Sequence, residues 1–195
     1  HVVRQADLLV VPRPIKGRIL AAQDGTWWRS DSLMSAKSCH GPEGDCSELL
    51  SDCDGKERFS LADSLYLGTK EFLELEFDHL PAGDLGLVVA SRHSLLSTFL
   101  FYQGLAYLGQ NAAPALGRLG SAGASPEGSK AMGDLLGKIE IQVPGPDGSW
   151  STVGTTGETG PLAVNVHLLR LPELNAANPR LRLKLTQGNW RLDYV

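Results

Sequence analysis

The chain has 195 residues, of which 42% are hydrophobic and 21% are charged, and its formal net charge is −4. This composition predicts one domain with a buried core and excludes a chain that is disordered throughout. The basic residues are scattered, which argues against a nucleic-acid-binding protein, because phosphate contacts need clustered Lys and Arg. No apolar stretch reaches the roughly 18 to 20 residues that span a bilayer, so we expect no transmembrane segment.

The N-terminal part predicts three strands, near residues 7–11, 15–22 and 26–29. Asp24-Gly25 is a typical hairpin turn, and it is followed directly by Trp27 and Trp28. Successive side chains of a strand point to opposite faces, so one of the two rings must point away from the core. An exposed aromatic ring can stack on the face of a sugar. We therefore take Trp27 and Trp28 as the candidate ligand-binding residues, although a helix of the chain itself could equally cover the outward ring.

Residues 30–68 are rich in Ser, Asp and Gly and predict a polar surface insertion, with a short helix near 47–51. All three cysteines, Cys39, Cys46 and Cys53, lie in this segment. Together with His40 they could in principle complete a zinc tetrahedron.

The spacing of the cysteines argues against zinc, because structural zinc sites pair their ligands as C-x2-4-C knuckles and these cysteines lie seven positions apart. We expect one disulfide, of Cys39 with Cys46 or Cys53, a free third thiol and no metal. A helix between Cys46 and Cys53 would separate their Cα atoms by about 10 Å, more than a disulfide spans.

Alternating residues predict a strand at 71–77, and a more uniformly apolar run predicts another at 85–91. Leu73, Leu75 and Phe77 fall on one face of the first strand, and Glu74 and Glu76 on the other. The two glutamates would lie about 7 Å apart, which a pair of glycosidase carboxylates could also show. We favour a solvated sheet face.

Residues 94–109 predict a helix, with Ser94 as N-cap and Gly109 just after its C-terminus. Its apolar residues cover most of the helix circumference, so we expect it to be buried on several sides. Two strands meeting at Gln103-Gly104 are the competing interpretation. The helical tendency continues over 112–119, and we assign 94–136 to a helical insertion.

His93 and Ser94 also allow a hydrolase hypothesis, with Asp84 or Asp134 as the carboxylate. A Gly-x-Ser-x-Gly elbow is absent from the sequence. We therefore favour a capping role for Ser94.

The last part of the chain predicts five strands, near residues 138–143, 149–154, 162–169, 180–186 and 190–195. In the fourth of them, Leu181, Leu183 and Leu185 should face the core, with Arg180, Arg182 and Lys184 on the opposite face. In the fifth, alternation places Trp190, Leu192 and Tyr194 on one face, the expected core face, and Arg191, Asp193 and Val195 on the other. We expect Leu192 and either Trp190 or Tyr194 to face the core.

The segment from Lys138, KIEIQVPGPDGSWSTV, and the closing WRLDYV resemble the C-terminal half of galactose-binding-like domains, the discoidin and carbohydrate-binding-module group. The resemblance implies a mainly β, antiparallel, jelly-roll-like β-sandwich, here as a single domain over 1–195 with the insertions at 30–68 and 94–136. It also suggests a structural calcium, but no Asp/Asn cluster forms a calcium loop, and we expect no cofactor.

These features favour a non-catalytic binding or assembly module over an enzyme, with a carbohydrate or a neighbouring protein domain as partner. The alternatives are a hydrolase that uses His93 and Ser94 or Glu74 and Glu76, and a structural domain of a larger surface protein.

The expected disulfide predicts a secreted, periplasmic or cell-surface location. Because the sequence begins with His1 instead of Met, we expect a processed product, and an earlier signal peptide would leave no trace.

Overall fold

The computed structural model describes Val10 and residues 17–30, 33–80, 83–120, 137–156, 160–174 and 179–195. Within these ranges the chain is mainly β, and all pairs of its named strands are antiparallel. The strands are β1 (Arg18–Ala21), β2 (Trp27–Ser30), β3 (Ser38–Gly41), β4 (Gly44–Asp45), β5 (Arg58–Phe59), β6 (Lys70–Glu76), β7 (Gly86–His93), β8 (Glu140–Pro144), β9 (Trp150–Thr155), β10 (Asn165–Arg170), β11 (Arg180–Thr186) and β12 (Trp190–Tyr194). The α-helices are α1 (Leu95–Leu108) and α2 (Ala112–Gly120), and short 3-10 helices span Glu48–Leu50 and Gly109–Asn111.

The strands form two larger sheets and one hairpin. The six-stranded sheet has the order β4-β3-β6-β11-β8-β9, and the four-stranded sheet has the order β10-β7-β12-β5. Strands β1 and β2 pair only with each other. Each strand predicted from 15–22 onwards is present, with ends that differ from the prediction by a few residues. The strand predicted at 7–11 lies almost wholly outside the described residues.

The main hydrophobic core takes side chains from both larger sheets. In the six-stranded sheet, Leu183 lies in register between Leu73 and Ile141, and all three are completely buried. The four-stranded sheet contributes Val89 and Trp190 to the same cluster. The period-2 pattern of β11 is confirmed, since its leucines are buried and its Arg and Lys side chains are only partly so. Burial of this alternating face against a second sheet is what fixes the strand register.

The alternation predicted for the last strand is wrong at its end. Trp190 and Leu192 lie in the main core, as expected, but Tyr194 packs in a second cluster on the other side of the sheet. The pairing register of β12 with β7 shifts between Leu192 and Tyr194. Such an irregularity turns the following side chains over, because it breaks the two-residue period. Val195 consequently joins the main core instead of facing outward.

The second cluster lies between the β1–β2 hairpin and the four-stranded sheet. Its buried members include Val88, Ala90 and Leu168, and Leu20 and Trp28 of the hairpin pack against them. One face of the four-stranded sheet is therefore turned towards the six-stranded sheet, and the hairpin covers part of its other face.

The polar segment 30–68 contributes more to the sheets than its composition predicts. It supplies β3 and β4 to the edge of the six-stranded sheet and β5 to the edge of the four-stranded sheet. These strands have two to four residues, too short for a recognisable alternation. The short helix predicted near 47–51 is present as the 3-10 helix Glu48–Leu50.

Helix α1 confirms the predicted helix, and the alternative of two strands is not found. The Ser94 hydroxyl accepts a hydrogen bond from the backbone N–H of Leu96, and Gly109 follows the helix with φ +51°. Ser94 is therefore a side-chain N-cap, because its hydroxyl satisfies an N–H group of the first helical turn that would otherwise be unpaired. The expected burial of the helix is wrong, because no residue of α1 is buried.

Candidate functional site

Trp27 and Trp28 lie in the hairpin and point in opposite directions, as the strand period requires. The Asp24 carboxylate accepts hydrogen bonds from the Thr26 hydroxyl at 2.6 Å and the Thr26 N–H at 2.9 Å, and these bonds lower the pKa of Asp24. Gly25 supplies the positive φ of +83° that the turn needs. The Trp27 ring is 60% exposed, whereas Trp28 is partly buried towards the four-stranded sheet. The two candidates are therefore not one joint platform.

Trp28 lines an open cleft of about 150 Å³ between the hairpin and the four-stranded sheet. The cleft is mainly apolar, and polar groups of Arg29, His79 and Asp84 also border it. Gly86 leaves room for Leu168 of the neighbouring strand β10, since a Cβ atom at position 86 would lie only 2.7 Å from that side chain, while the Trp28 ring would be at an ordinary contact distance of 3.5 Å. The apolar lining residues include Leu20, Leu33, Leu85, Leu168, Leu171 and Leu174. This shape suits a small apolar group better than an extended polar chain.

Helix α1 is an unusual surface element, because residues 94–117 contain no charged side chain. Phe99, Tyr102 and Tyr107 are 56%, 64% and 92% exposed. With ring side chains of roughly 200 Å² each, these three alone leave about 400 Å² in water. Soluble monomers rarely expose more than a few hundred Å² of contiguous apolar surface without a binding role.

The serine of the hydrolase hypothesis has a structural role. Besides capping α1, the Ser94 hydroxyl donates a hydrogen bond to the Gly188 carbonyl at 2.5 Å, and the side chain is buried. The His93 ring packs edge-on against Trp190, with 4.3 Å between the ring centroids. Asp84 precedes β7 and Ser94 follows it, so about 25 Å of strand separates them. Asp134 lies outside the described residues.

Glu74 and Glu76 belong to the outer face of the six-stranded sheet. Both lie beside Arg180, with oxygen–nitrogen distances of 2.9 Å and 3.4 Å. This pairing is typical of a solvated, charge-balanced sheet face, as the alternation suggests.

The cysteines form one disulfide, between Cys39 and Cys46, with 5.1 Å between their Cα atoms. It links β3 to the residue after β4, and the Cys46 N–H also donates to the Cys39 carbonyl. The free thiol of Cys53 donates to the buried carboxylate of Asp193 at 3.0 Å, and this bond raises the pKa of Cys53. A thiol held protonated in this way is a poor nucleophile. In the described part of the chain, no three His, Cys, Asp or Glu residues are grouped as a metal site.

Sequence reasoning missed one arrangement on the sheet face, the stacking of Arg182 between Phe72 and Trp150. The only available signal was that all three positions point outward from their strands. Which outward residues become neighbours depends on strand order, and sequence alone does not give that order.

Comparison of the chain with known protein families, curated proteins and solved structures gives no match. None of the helices in the described ranges has the length and apolar character needed to cross a membrane.

Proposed function

We propose that this protein is a non-catalytic binding or assembly module of the extracytoplasmic space, built on a jelly-roll-like β-sandwich. Two antiparallel sheets that share one core support the architecture. The Cys39–Cys46 disulfide supports the location, because disulfides persist mainly in oxidising compartments.

The observation that carries the proposal is helix α1, which exposes large apolar side chains and contains no charge. A helix that is apolar all round is normally surrounded by other apolar groups. An interfacial membrane helix would carry a basic polar face, which α1 lacks. The proposed role of α1 is therefore to dock into an apolar groove of a neighbouring protein domain.

A triple variant tests this role. Phe99→Gln, Tyr102→Gln and Tyr107→Gln replace exposed rings with a good helix former, so thermal unfolding should be unchanged. In the producing cells, the wild-type chain should migrate on native gels as part of an assembly, and the triple variant as a monomer. Tyr66→Gln, at an exposed tyrosine far from α1 in sequence, is the matched control and should keep the assembly.

Three outcomes would overturn the docking role. A wild-type chain that migrates as a monomer would show that nothing covers α1. A triple variant of lowered thermal stability would show that α1 packs on its own chain. Recovery of the wild type in membrane fractions, lost in the triple variant, would assign α1 to lipid instead of protein.

Ligand binding at the tryptophan hairpin, including carbohydrate binding, is a second candidate function. The exposed ring of Trp27 and the cleft beside Trp28 favour it. On glycan arrays, Trp27→Ala should abolish a sugar signal without loss of stability, since the ring is mostly in water. An unchanged signal in both Trp27→Ala and Trp28→Ala would exclude the hairpin as the site.

The hydrolase alternative has less support, because the Ser94 hydroxyl is bonded to the backbone at Leu96 and Gly188. The hydrolase alternative would be supported if the wild type hydrolysed an ester or glycoside substrate and if Ser94→Ala lost this activity while the protein stayed folded.

A further inference from the structure

The outer face of the six-stranded sheet holds one guanidinium between two aromatic rings. The Cζ atom of Arg182 lies 4.5 Å from the centroid of the Phe72 ring and 4.5 Å from that of Trp150. Arg182 stands on β11, Phe72 on the neighbouring strand β6, and Trp150 on the edge strand β9. A guanidinium that contacts aromatic faces is attracted by both rings and is restricted in orientation.

A hydrogen bond fixes the guanidinium further. Its Nε–H donates to the Gln142 side-chain oxygen at 2.8 Å, and the Gln142 amide nitrogen donates to the Thr152 hydroxyl at 3.2 Å. Within the described ranges, the two terminal nitrogens of Arg182 have no hydrogen-bond acceptor. The two rings and Gln142 thus hold the guanidinium of Arg182 in one orientation, and its two terminal nitrogens are available as a pair of hydrogen-bond donors to a ligand.

Within the described residues no carboxylate lies at ion-pair distance from Arg182, although Glu74 stands opposite it in the register of β6 and β11. The two glutamates of β6 lie beside Arg180, at 2.9 Å and 3.4 Å. Glu140 pairs with Lys184 at 3.0 Å and accepts a hydrogen bond from Thr152 at 3.1 Å. Among the three cations of β11, Arg182 therefore differs from Arg180 and Lys184, although all three come from the same side of the strand.

We propose that Arg182, with Phe72 and Trp150, binds the carboxylate of an acidic saccharide, a chain of uronic acid units. The fork of a guanidinium matches the two oxygens of a carboxylate, which a neutral sugar does not offer. The Phe72 ring is 41% exposed and can pack on the apolar C–H face of the sugar. A uronic acid presents both features on one ring, and an extended sheet face can accept several such rings in a row.

This site is separate from α1 and from the tryptophan hairpin, so it stands independently of the proposed docking role. The hairpin packs on the four-stranded sheet, whereas Arg182 projects from the outer face of the six-stranded sheet. The triple α1 variant should bind the saccharide as well as the wild type does, so failure of one proposal leaves the other testable.

Isothermal titration calorimetry on the full chain tests the site. The probes are a hexamer of galacturonic acid, its fully methyl-esterified form and a hexapeptide of glutamate, all at low salt, because screening weakens exposed ion pairs. We expect the wild type to bind the acidic hexamer and to bind the methyl ester at least about tenfold more weakly, since esterification removes the charge that Arg182 recognises.

Two substitutions at Arg182 and one control distinguish recognition of the saccharide by Arg182 from non-specific attraction between charges. Arg182→Gln should weaken binding about tenfold or more, and Arg182→Lys should weaken it nearly as much, because lysine keeps the charge but not the planar fork. Arg180→Gln removes the same charge two residues away, from a guanidinium that pairs with Glu74 and lies 5.9 Å from the Trp150 centroid, against 4.5 Å for Arg182. This variant should change the dissociation constant less than about threefold. Thermal melts establish that each variant is folded.

Each contrary outcome overturns the proposal. Equal losses with Arg180→Gln and Arg182→Gln would reveal non-specific charge attraction, and equal binding of the methyl ester would exclude carboxylate recognition. Tighter binding of the glutamate hexapeptide would assign the site to an acidic peptide. An absence of binding to all three probes would leave Arg182 as a structural contact of the sheet face.

Discussion

A buried ion cluster between the two sheets allows a quantitative test of the packing. Arg58 of β5 is 1% exposed and forms two hydrogen bonds with Glu71 of β6, of 2.6 Å and 2.9 Å. Glu43, whose side chain is 41% exposed, binds the same guanidinium from the β3–β4 turn. Burial works against the charge of Arg58, but the hydrogen bonds to Glu43 and Glu71 outweigh it and raise its pKa.

Glu71→Leu should destabilise the protein by about 3 to 5 kcal/mol, because it leaves a buried charge with only part of its counter-charge. The retained contact with Glu43 places the expected value near the lower end, about 3 kcal/mol. The double variant Arg58→Met with Glu71→Leu should recover most of this loss, since a well-packed apolar pair can replace a buried ion pair at little cost. The coupling energy between the two sites should thus exceed about 2 kcal/mol.

Urea unfolding of the wild type, the two single variants and the double variant measures this cycle, provided that the m-values agree. Glu74→Leu is the matched control, on the same strand but on the outer face, where loss of an exposed pair should cost less than about 1 kcal/mol. If Glu71→Leu and Glu74→Leu had equal effects, the two sheets would not meet around Arg58 as described.

Leu183→Ala should lower the free energy of unfolding by about 2 to 5 kcal/mol, because the side chain is completely buried, and a change near zero in urea unfolding would contradict the register of β11. Mass spectrometry of the unreduced protein should show the two-proton deficit of one disulfide and a peptide that joins Cys39 to Cys46; three alkylated thiols without reduction would contradict the pairing. Hydrogen bonding to Arg92 lowers the pKa of Glu57 in the folded protein, so this pair stabilises the fold above the unfolded pKa near 4.5 and the stabilisation is lost as the pH falls further. Glu57→Gln should therefore reduce stability at pH 7 and have little effect at pH 3 in thermal melts, and an equal loss at both pH values would exclude this linkage.

The sequence predicted the regular elements wherever a local rule was strong. Alternation over six or seven residues located β6 and β11, and their buried leucines are the predicted ones. Ser94 and Gly109 marked the two ends of α1, because capping depends on residues adjacent in the chain. The cysteine spacing narrowed the disulfide to pairings with Cys39, and the structure selects Cys46.

Local rules failed where distant parts of the chain meet. Nothing near Arg58 in the sequence indicates burial, and its environment comes from Glu43 and Glu71 on other strands. The reversal at Tyr194 follows from a register shift against β7, which depends on the partner strand.

For the candidate sites too, local sequence rules predicted some features, and the packing of distant segments decided the others. The sequence by itself determined that one ring of the Trp27–Trp28 pair must face outward, because the side chains of a strand alternate. Only the tertiary structure decided that this ring is Trp27 and that α1 lies exposed, since exposure depends on what packs against a face. Strand order likewise placed Phe72 and Trp150, 78 positions apart in the sequence, on either side of Arg182. Hydrogen-bonded sheets bring remote segments together, and no local pattern encodes which segments those are.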